Sequence, residues 1–205
     1  MEIAKMSLFL FVVCAVAATA LAFTDKVTRE RIAENKAQVE AEARDAVLGA
    51  AREKAAWVKT FYVEVDGKTL TVYRYEDGDE KPLALVAKGS GKGFGGAVDF
   101  MMGVDPAGKV LGVRVISHQE TPGLGTNVCD VKPGKEDKAW LAQLAGLAAP
   151  EVALTKDDPQ GKVDAVTGVT ISSRAVTRGA AALMARLAEI ADELDEPKEK
   201  HEYAK

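Results

Sequence analysis

The sequence predicts an α+β fold, in which a mostly antiparallel sheet is packed by helices behind a single N-terminal transmembrane helix and a helical stalk. Three patterns lead to this prediction. An uncharged apolar stretch opens the chain, two pairs of strand-like segments are joined by short turns, and the longest amphipathic helical pattern comes last. Because the strands precede the main helix instead of alternating with helices, we expect an α+β body and not a series of βαβ units.

Length and charge limit the classes of protein that the chain can belong to. Its 205 residues and net charge of -4 suit one folded domain with an appendage, and they argue against a nucleic-acid partner, which requires clustered Lys and Arg. Only Cys14 and Cys129 are present, so we expect neither a disulfide framework nor a multi-cysteine metal site. We predict four segments, which are an anchor at residues 1–23, a stalk at 24–56, a folded domain at 57–194 and a charged tail at 195–205.

The predicted anchor is the apolar stretch at residues 6–23, which carries no charge. As a helix this stretch would span roughly 27 Å, enough to cross a bilayer. A cleaved signal peptide is the alternative, because Ala20 and Ala22 form an Ala-x-Ala pattern. Lys26 and other basic residues follow the stretch and by the positive-inside rule alone would be cytoplasmic, whereas the signal-like start at Lys5 indicates the opposite orientation.

The stalk is predicted at residues 24–56 because Ala, Glu, Arg and Lys predominate there, a composition typical of a solvated helical spacer. The body then begins with strands rich in aromatic and β-branched residues, and Asp66-Gly67 supplies a hairpin turn between the first two. We predict strands at 61–65, 70–75, 83–87, 97–104 and 109–117. We predict helices at 137–147 and at 171–194, the second with one continuous apolar face.

A glycine-rich segment at residues 89–96 lies between the third and fourth predicted strands. It contains a Gly-x-Gly-x-x-Gly pattern, yet the segment after it is a predicted strand, whereas a dinucleotide-binding fingerprint requires a helix there. A P-loop is also excluded, because Lys92 is followed by Gly93 instead of Ser or Thr. We predict a flexible loop that passes close to a ligand or to another backbone segment.

Residues 118–125 follow the last predicted strand and form a tight loop stiffened by Pro122 and two glycines. Thr121 and Leu124 would offer a hydroxyl and an apolar contact to a planar ring, the mixture of groups that small-molecule sites use. An ordinary surface turn is the alternative interpretation of this loop, and His118 alone indicates no catalytic role.

Residues 164–170 precede the long C-terminal helix, so that Thr170 and Ser172 stand where N-cap hydroxyls are expected. A simple helix cap is one interpretation of this pattern. The free N–H groups and the dipole at a helix N-terminus also favour an anion, and the Thr170 hydroxyl would lie where a bound phosphate is expected.

With these three segments in this order, the chain resembles the FMN-binding domain shared by the Rnf complex G subunit and the C subunit of the sodium-pumping NADH:quinone reductase. In that family the last hydroxyl residue of an Asp-Gly-x-(Ser/Thr)-Gly-Ala-(Ser/Thr) motif carries a covalent flavin. The resemblance implies a phosphoester between FMN and Thr170, with Asp164, Thr167 and Gly168 matching the motif.

The second motif of that family is a loop that lies against the isoalloxazine ring. Residues 120–125 resemble this loop, and residues 93–96 resemble the glycine-rich segment that precedes it in the family. The resemblance therefore implies cofactor binding by the loop residues Glu120, Thr121, Gly123, Leu124 and Gly125. In the attachment motif, Ala165 and Val169 replace the Gly and Ala of the family pattern.

The resemblance also implies a function. The chain would be an electron-transfer subunit of a membrane-bound Rnf-type complex that couples electron transfer between ferredoxin and NAD⁺ to Na⁺ or H⁺ transport. Its partners would be the other membrane subunits and, during maturation, a flavin transferase that uses FAD and Mg²⁺. The chain would cross the inner (cytoplasmic) membrane once, with the FMN domain on the extracytoplasmic, periplasmic side.

Three alternatives remain open at this point. The first alternative is the C subunit of a Na⁺-translocating NADH:quinone reductase, which shares the same motifs. A stand-alone extracytoplasmic flavin reductase would require a substrate pocket and no membrane partners. A membrane-anchored binding module without flavin would be colourless when purified.

Overall fold

A computed structural model describes residues 2–65, 67–129, 139–191, 194 and 199–202. The chain divides into two compact units, Met1–Ala41 and Glu42–Lys205. The first unit consists of most of helix α1, Glu2–Ala46, which is long and apolar enough to cross a membrane. A signal sequence at the N-terminus can also form an apolar helix of sufficient length, so the retained anchor stays a prediction.

The second unit contains one sheet and the helices that pack on it. In the described part of the chain, six strands form a single sheet in the order β5-β4-β3-β2-β1-β6, and all neighbouring strands are antiparallel. The predicted α+β class is therefore confirmed; Asp66 of the predicted hairpin lies outside the described residues. The elements are β1 Trp57–Val65, β2 Lys68–Glu76, β3 Pro82–Lys92, β4 Ala97–Val104, β5 Val110–Ser117, α2 Thr126–Cys129, α3 Thr170–Ile190 and β6 Glu199–Glu202, with short 3-10 helices at Gly49–Glu53, Trp140–Leu144 and Ala149–Glu151.

Both faces of the sheet are covered. On one face, Phe100 and Met102 of β4 belong to the same buried cluster as Val176, Leu183 and other apolar residues of α3. The predicted apolar face of this helix is thereby confirmed. The other face packs against the segment that follows α1, and this cluster includes Val47, Leu48, Tyr75, Val86 and Met101.

The predicted loop at residues 89–96 is wrong over its first half, which continues β3 and pairs with β4. Glycine is required there by close packing. A Cβ atom at Gly89 would lie 2.5 Å from the Phe100 ring, and one at Gly91 would lie 2.0 Å from the carbonyl oxygen of Ala175 in α3. The glycines therefore let α3 approach β3 closely, so the predicted closeness to another backbone segment is confirmed. Only the second half of the segment is a turn.

The predicted helix at residues 137–147 is wrong in its described part, where the 3-10 helix Trp140–Leu144 is the only helical segment; its first two residues lie outside the described residues. Ala and Leu favour an α-helix locally, but the chain must turn back to β5. Gly146 N–H donates to Val110 O at 2.7 Å, and Val110 N–H donates to Leu147 O at 3.0 Å. Gly146 takes a φ of +80°, so pairing with the sheet overrides helix propensity.

A buried ionic cluster on β1 and β2 holds the end of the chain. Glu76 is 1% exposed; its two carboxylate oxygens lie 2.6 Å from Lys59 Nζ and 2.8 Å from Arg74 Nε. Arg74 Nη1 also donates to Leu194 O at 2.9 Å, which fixes the chain beyond α3 to the sheet. Strand β6 then pairs with β1 at the sheet edge, within the predicted charged tail, of which residues 195–198 and 203–205 lie outside the described residues.

Candidate functional site

Helix α3 begins at Thr170, and the turn before it determines which groups the Thr170 hydroxyl can reach. Gly168 takes a φ of +78°, and Val169 N–H donates to Val166 O at 3.0 Å, which closes the turn. Val169 is the N-cap and provides no side-chain hydrogen bond, so the interpretation of Thr170 and Ser172 as simple helix caps is wrong. Because the left-handed glycine closes the turn early, Thr170 is the first helical residue and its hydroxyl is available to other partners.

Three consecutive side chains, which we name the 155–157 segment, contact the predicted attachment motif and the first turns of α3. Each one reaches a different residue. Thr155 Oγ1 donates to Asp164 Oδ1 at 3.2 Å, Lys156 Nζ donates to Thr170 Oγ1 at 2.5 Å, and Asp157 accepts from Arg174 Nε and Nη2 at 2.5 and 2.6 Å. The segment therefore lies along the motif from its first residue to α3.

Main-chain hydrogen bonds fix both sides of this contact. Thr155 N–H donates to Val163 O at 3.0 Å. On the next residue, Asp164 N–H donates to Gln143 Oε1 at 2.9 Å and Asp164 O accepts from Trp140 Nε1 at 2.6 Å. Sequence reasoning missed the 155–157 segment, because its Thr, Lys and Asp side chains have the composition of any polar loop.

The Glu120 carboxylate joins the other predicted motifs. Glu120 is 6% exposed; Oε1 accepts from Gly95 N–H at 3.1 Å, and Oε2 accepts from Ser172 Oγ at 2.5 Å. A Cβ atom at Gly93 would lie 2.1 Å from Oε1, and one at Gly125 would lie 2.2 Å from Oε2. Both glycines are therefore required for the carboxylate to fit, and Glu120 links the 93–96 turn and its own loop to the first turn of α3.

The loop at residues 121–125 is a turn that leads into the short helix α2. Leu124 N–H donates to Thr121 O at 3.1 Å, and Gly123 N–H donates to Thr126 Oγ1 at 3.0 Å. Gly123 takes a φ of +76°, a conformation that glycine adopts without strain. The loop is thus well defined by its own hydrogen bonds, and Thr121 and Leu124 remain exposed.

Exposed apolar residues adjoin, along the chain, the residues that hold the Glu120 carboxylate. Phe94, Leu124 and Ile171 are 73, 54 and 50% exposed. Each of them is the sequence neighbour of a residue that packs on or hydrogen bonds to that carboxylate. Because large exposed apolar side chains are the groups that small-molecule sites use for apolar contact, these three residues are candidates for contact with a planar apolar ligand.

Positive charge lies beside the Thr170 hydroxyl. Lys156 Nζ contacts this hydroxyl directly. Lys92, Arg174 and Arg178 line a separate groove of about 470 Å³ between β3 and α3, which Thr170 does not line but the next residue, Ile171, does. Ammonium and guanidinium groups form strong, charge-assisted hydrogen bonds with phosphate oxygens, and a helix N-terminus adds free N–H donors. The residues around Thr170 therefore fit a phosphate group.

The predicted site residues are brought together in two groups. Asp164, Thr167, Gly168 and Thr170 form the turn into α3, where Thr167 and Gly168 are exposed. The loop residues at 120–125 reach this turn through the hydrogen bond between Glu120 and Ser172. Their predicted contacts with a cofactor stay predictions.

The ion pair between Asp157 and Arg174 predicts a lowered pKa for Asp157 and a dependence of stability on pH. Hydrogen bonds from the Arg174 guanidinium hold the pKa of Asp157 below its ordinary value of 3.8. Since the folded pKa is lowered, ionised Asp157 contributes stability at pH values above 3.8, and this contribution is lost as the pH falls through the folded pKa. We expect a carboxyl NMR titration to give Asp157 a pKa below 3.8 in the folded chain.

The cause of this shift is tested by two variants. Arg174→Gln is expected to raise the pKa of Asp157 back toward 3.8. Lys162→Gln is the control, because Lys162 pairs with Glu151 at 2.5 Å and makes no hydrogen bond to Asp157. A wild-type pKa at or above 3.8 would contradict the ion pair.

Comparisons with known proteins identify the family. Residues 93–185, which include the 93–96, 118–125 and 164–170 segments, match the family model of the FMN-binding domain. The G subunit of the Na⁺-translocating ferredoxin:NAD⁺ oxidoreductase complex of Acetobacterium woodii is 33% identical over 195 residues, covering 85% of this chain and 86% of that protein. The G subunit of the ion-translocating oxidoreductase complex of Escherichia coli K12 is 32% identical over 162 residues, covering 74% of this chain and 75% of that protein.

A solved structure supports the fold. The C subunit of the Na⁺-translocating NADH-quinone reductase from Parabacteroides distasonis has a TM-score of 0.51 and 17% identity, covering 81% of this chain and 97% of that chain. At this identity the likeness concerns the fold alone. With relatives aligned over most of their length and the matched domain containing all three motifs, the chain belongs to the family of FMN-binding G subunits of ion-translocating oxidoreductase complexes.

Proposed function

We propose that this chain is the electron-transfer subunit of an Rnf-type complex and carries FMN through a phosphoester on Thr170. The complex would couple electron transfer between ferredoxin and NAD⁺ to Na⁺ or H⁺ transport. The observation that carries the proposal is the Thr170 hydroxyl, which lies at the start of α3 within hydrogen-bond distance of Lys156, inside a chain segment that matches the FMN-binding domain. When bound, FMN would supply one- and two-electron transfer.

The chain's own residues would hold and position this group. The first turn of α3 and Lys156 would neutralise the phosphate, and the hydrogen-bonded Asp164 backbone would fix the turn from which Thr170 projects. Leu124 and Phe94 would provide apolar contacts to the ring. Glu120 would act indirectly, because its carboxylate already binds Gly95 and Ser172 and so holds the loop against the helix.

We also propose an orientation and partners. Helix α1 would anchor the chain in the inner membrane, with the FMN domain on the extracytoplasmic side, where a flavin transferase would modify it and the other subunits would exchange electrons with it. The orientation rests on the family resemblance, since the basic residues after the apolar stretch favour the opposite one. An alkaline phosphatase fused after Lys205 is expected to be active, and an inactive fusion in a stably inserted chain would reverse the orientation.

The covalent link is tested on the full chain. Produced together with a flavin transferase and denatured in detergent, the chain should keep flavin fluorescence in a gel. Its intact mass should increase by one FMN less one water. The same chain made without the transferase is the control and should be colourless after denaturation. Flavin that dissociates completely on denaturation would contradict the phosphoester while leaving membership of the family intact.

A further inference from the structure

The contact between Lys156 and Thr170 joins a long cationic side chain to the hydroxyl proposed to carry the flavin. Lys156 Nζ donates to Thr170 Oγ1 at 2.5 Å, although the lysine itself is exposed. Ordering an exposed lysine costs side-chain entropy, and this cost is easier to offset where the neighbouring residues are already held in place. Here both neighbouring side chains are fixed, Thr155 by Asp164 and Asp157 by Arg174.

We propose that Lys156 is the charge-stabilising residue of flavin attachment, acting on the Thr170 hydroxyl both during the transfer and in the product. This inference rests on the proposed phosphoester. The inference adds to the proposed attachment site one residue, Lys156, which lies outside the attachment motif and belongs to a different loop of the chain.

The transfer can be written with all atoms accounted for. Thr170 Oγ1 attacks the phosphorus of FAD that bears the riboflavin group, and a new O–P bond forms. The bond from that phosphorus to the bridging oxygen breaks, AMP leaves, and the hydroxyl proton passes to a base of the transferase or to water. No electrons are gained or lost.

Lys156 is suited to this step by its charge and by the direction of its hydrogen bond. Because the ammonium donates to Thr170 Oγ1, the hydroxyl proton is free to point toward a base. Negative charge develops on this oxygen and on the phosphoryl oxygens, and a neighbouring cation stabilises it. In the product, the phosphodiester keeps one negative charge, which Lys156 would balance.

The other Lys and Arg side chains in this part of the structure have partners or positions of their own. Arg174 is bound bidentately to Asp157, and Lys162 lies 2.5 Å from Glu151. Lys92 and Arg178 line the groove between β3 and α3. Lys162 therefore provides a matched control, since its replacement removes one positive charge from the same part of the chain without removing a contact to Thr170.

The test measures the rate of flavin attachment, not electron transfer. Purified full-length chain in detergent is mixed with flavin transferase, FAD and Mg²⁺, and the modified fraction is followed by intact mass. At saturating chain concentration, Lys156→Met is expected to slow the reaction roughly tenfold or more. This is less than the roughly hundredfold loss for one oxyanion-hole donor, because Lys156 is exposed and its charge is screened by solvent. Lys156→Arg is expected to restore most of the rate, and Lys162→Met to leave it within about twofold.

The outcomes separate this inference from the proposed function. If wild-type chain is modified and Lys156→Met reacts equally fast, the inference is overturned and the phosphoester stands. A defect that disappears at saturating chain concentration, or one shared equally by Lys162→Met, assigns Lys156 to docking of the transferase and also overturns the inference. If wild-type chain is never modified, the proposed phosphoester is overturned together with the inference. Equal melting temperatures for all variants exclude misfolding as the cause.

Discussion

Thr170→Val is expected to abolish covalent flavin completely. Valine keeps the β-branched shape of threonine and removes only the hydroxyl, so no oxygen remains to form the phosphoester. Thr170 is the first residue of α3 and provides no N-cap hydrogen bond, so stability should change by no more than about 0.5 kcal/mol. The measurement is the flavin fluorescence and intact mass of the denatured chain after production with the transferase.

Two further variants make this result specific to the hydroxyl at that position. Thr170→Ser keeps the reacting oxygen and is expected to keep the flavin. Thr69→Val makes the same chemical change on strand β2, far along the chain from the site, and should be fully modified. Covalent flavin in the Thr170→Val chain would place the attachment on another residue.

Gly91→Ala is expected to destabilise the folded unit strongly. The added Cβ atom would lie 2.0 Å from the Ala175 carbonyl oxygen and 2.6 Å from its carbon, both of them backbone atoms of α3 that no side-chain rotation can move. The packing is reciprocal, since a Cβ atom at Gly179 would lie 2.8 Å from Ser90 O. Helix and strand would therefore have to separate.

We expect the free energy of unfolding to fall by about 3 kcal/mol or more, the upper part of the range for overpacked cores. For a chain of this size that lowers the melting temperature by about 10 °C. Gly78→Ala is the control, because a Cβ atom at Gly78 meets nothing within 4 Å, and it should be neutral within about 0.5 kcal/mol. Equal melting temperatures for the two variants would refute the close contact between β3 and α3.

Local patterns were sufficient where the local sequence and the fold require the same conformation. Aromatic and β-branched residues between turn signals predicted the positions of β1 to β5, and the apolar face of α3 was readable because its period matches the helix. The order of the 93–96, 120–125 and 164–170 segments indicated the family, which the relatives confirm. These features depend on residues close together in the chain.

Patterns misled where a distant contact imposes the conformation. Residues 89–92 have the composition of a loop, yet they form part of β3. Their glycines are needed because a larger residue would collide with Phe100 or with the backbone of α3. Residues 140–144 have helical propensity, yet they form only a short 3-10 helix, because Gly146 and Leu147 pair with Val110 of β5. Neither requirement can be read without knowing which element lies opposite.

The candidate site shows the same division. The sequence by itself determined the α+β class, the apolar N-terminal helix and the position of Thr170 at the start of the last long helix. Only the tertiary structure decided that Glu120 binds Ser172 and Gly95, and that Lys156 reaches Thr170. The physical reason is that a sequence motif shows only which side chains lie close together along the chain. A hydrogen bond between separate loops depends on the packing that brings those loops together.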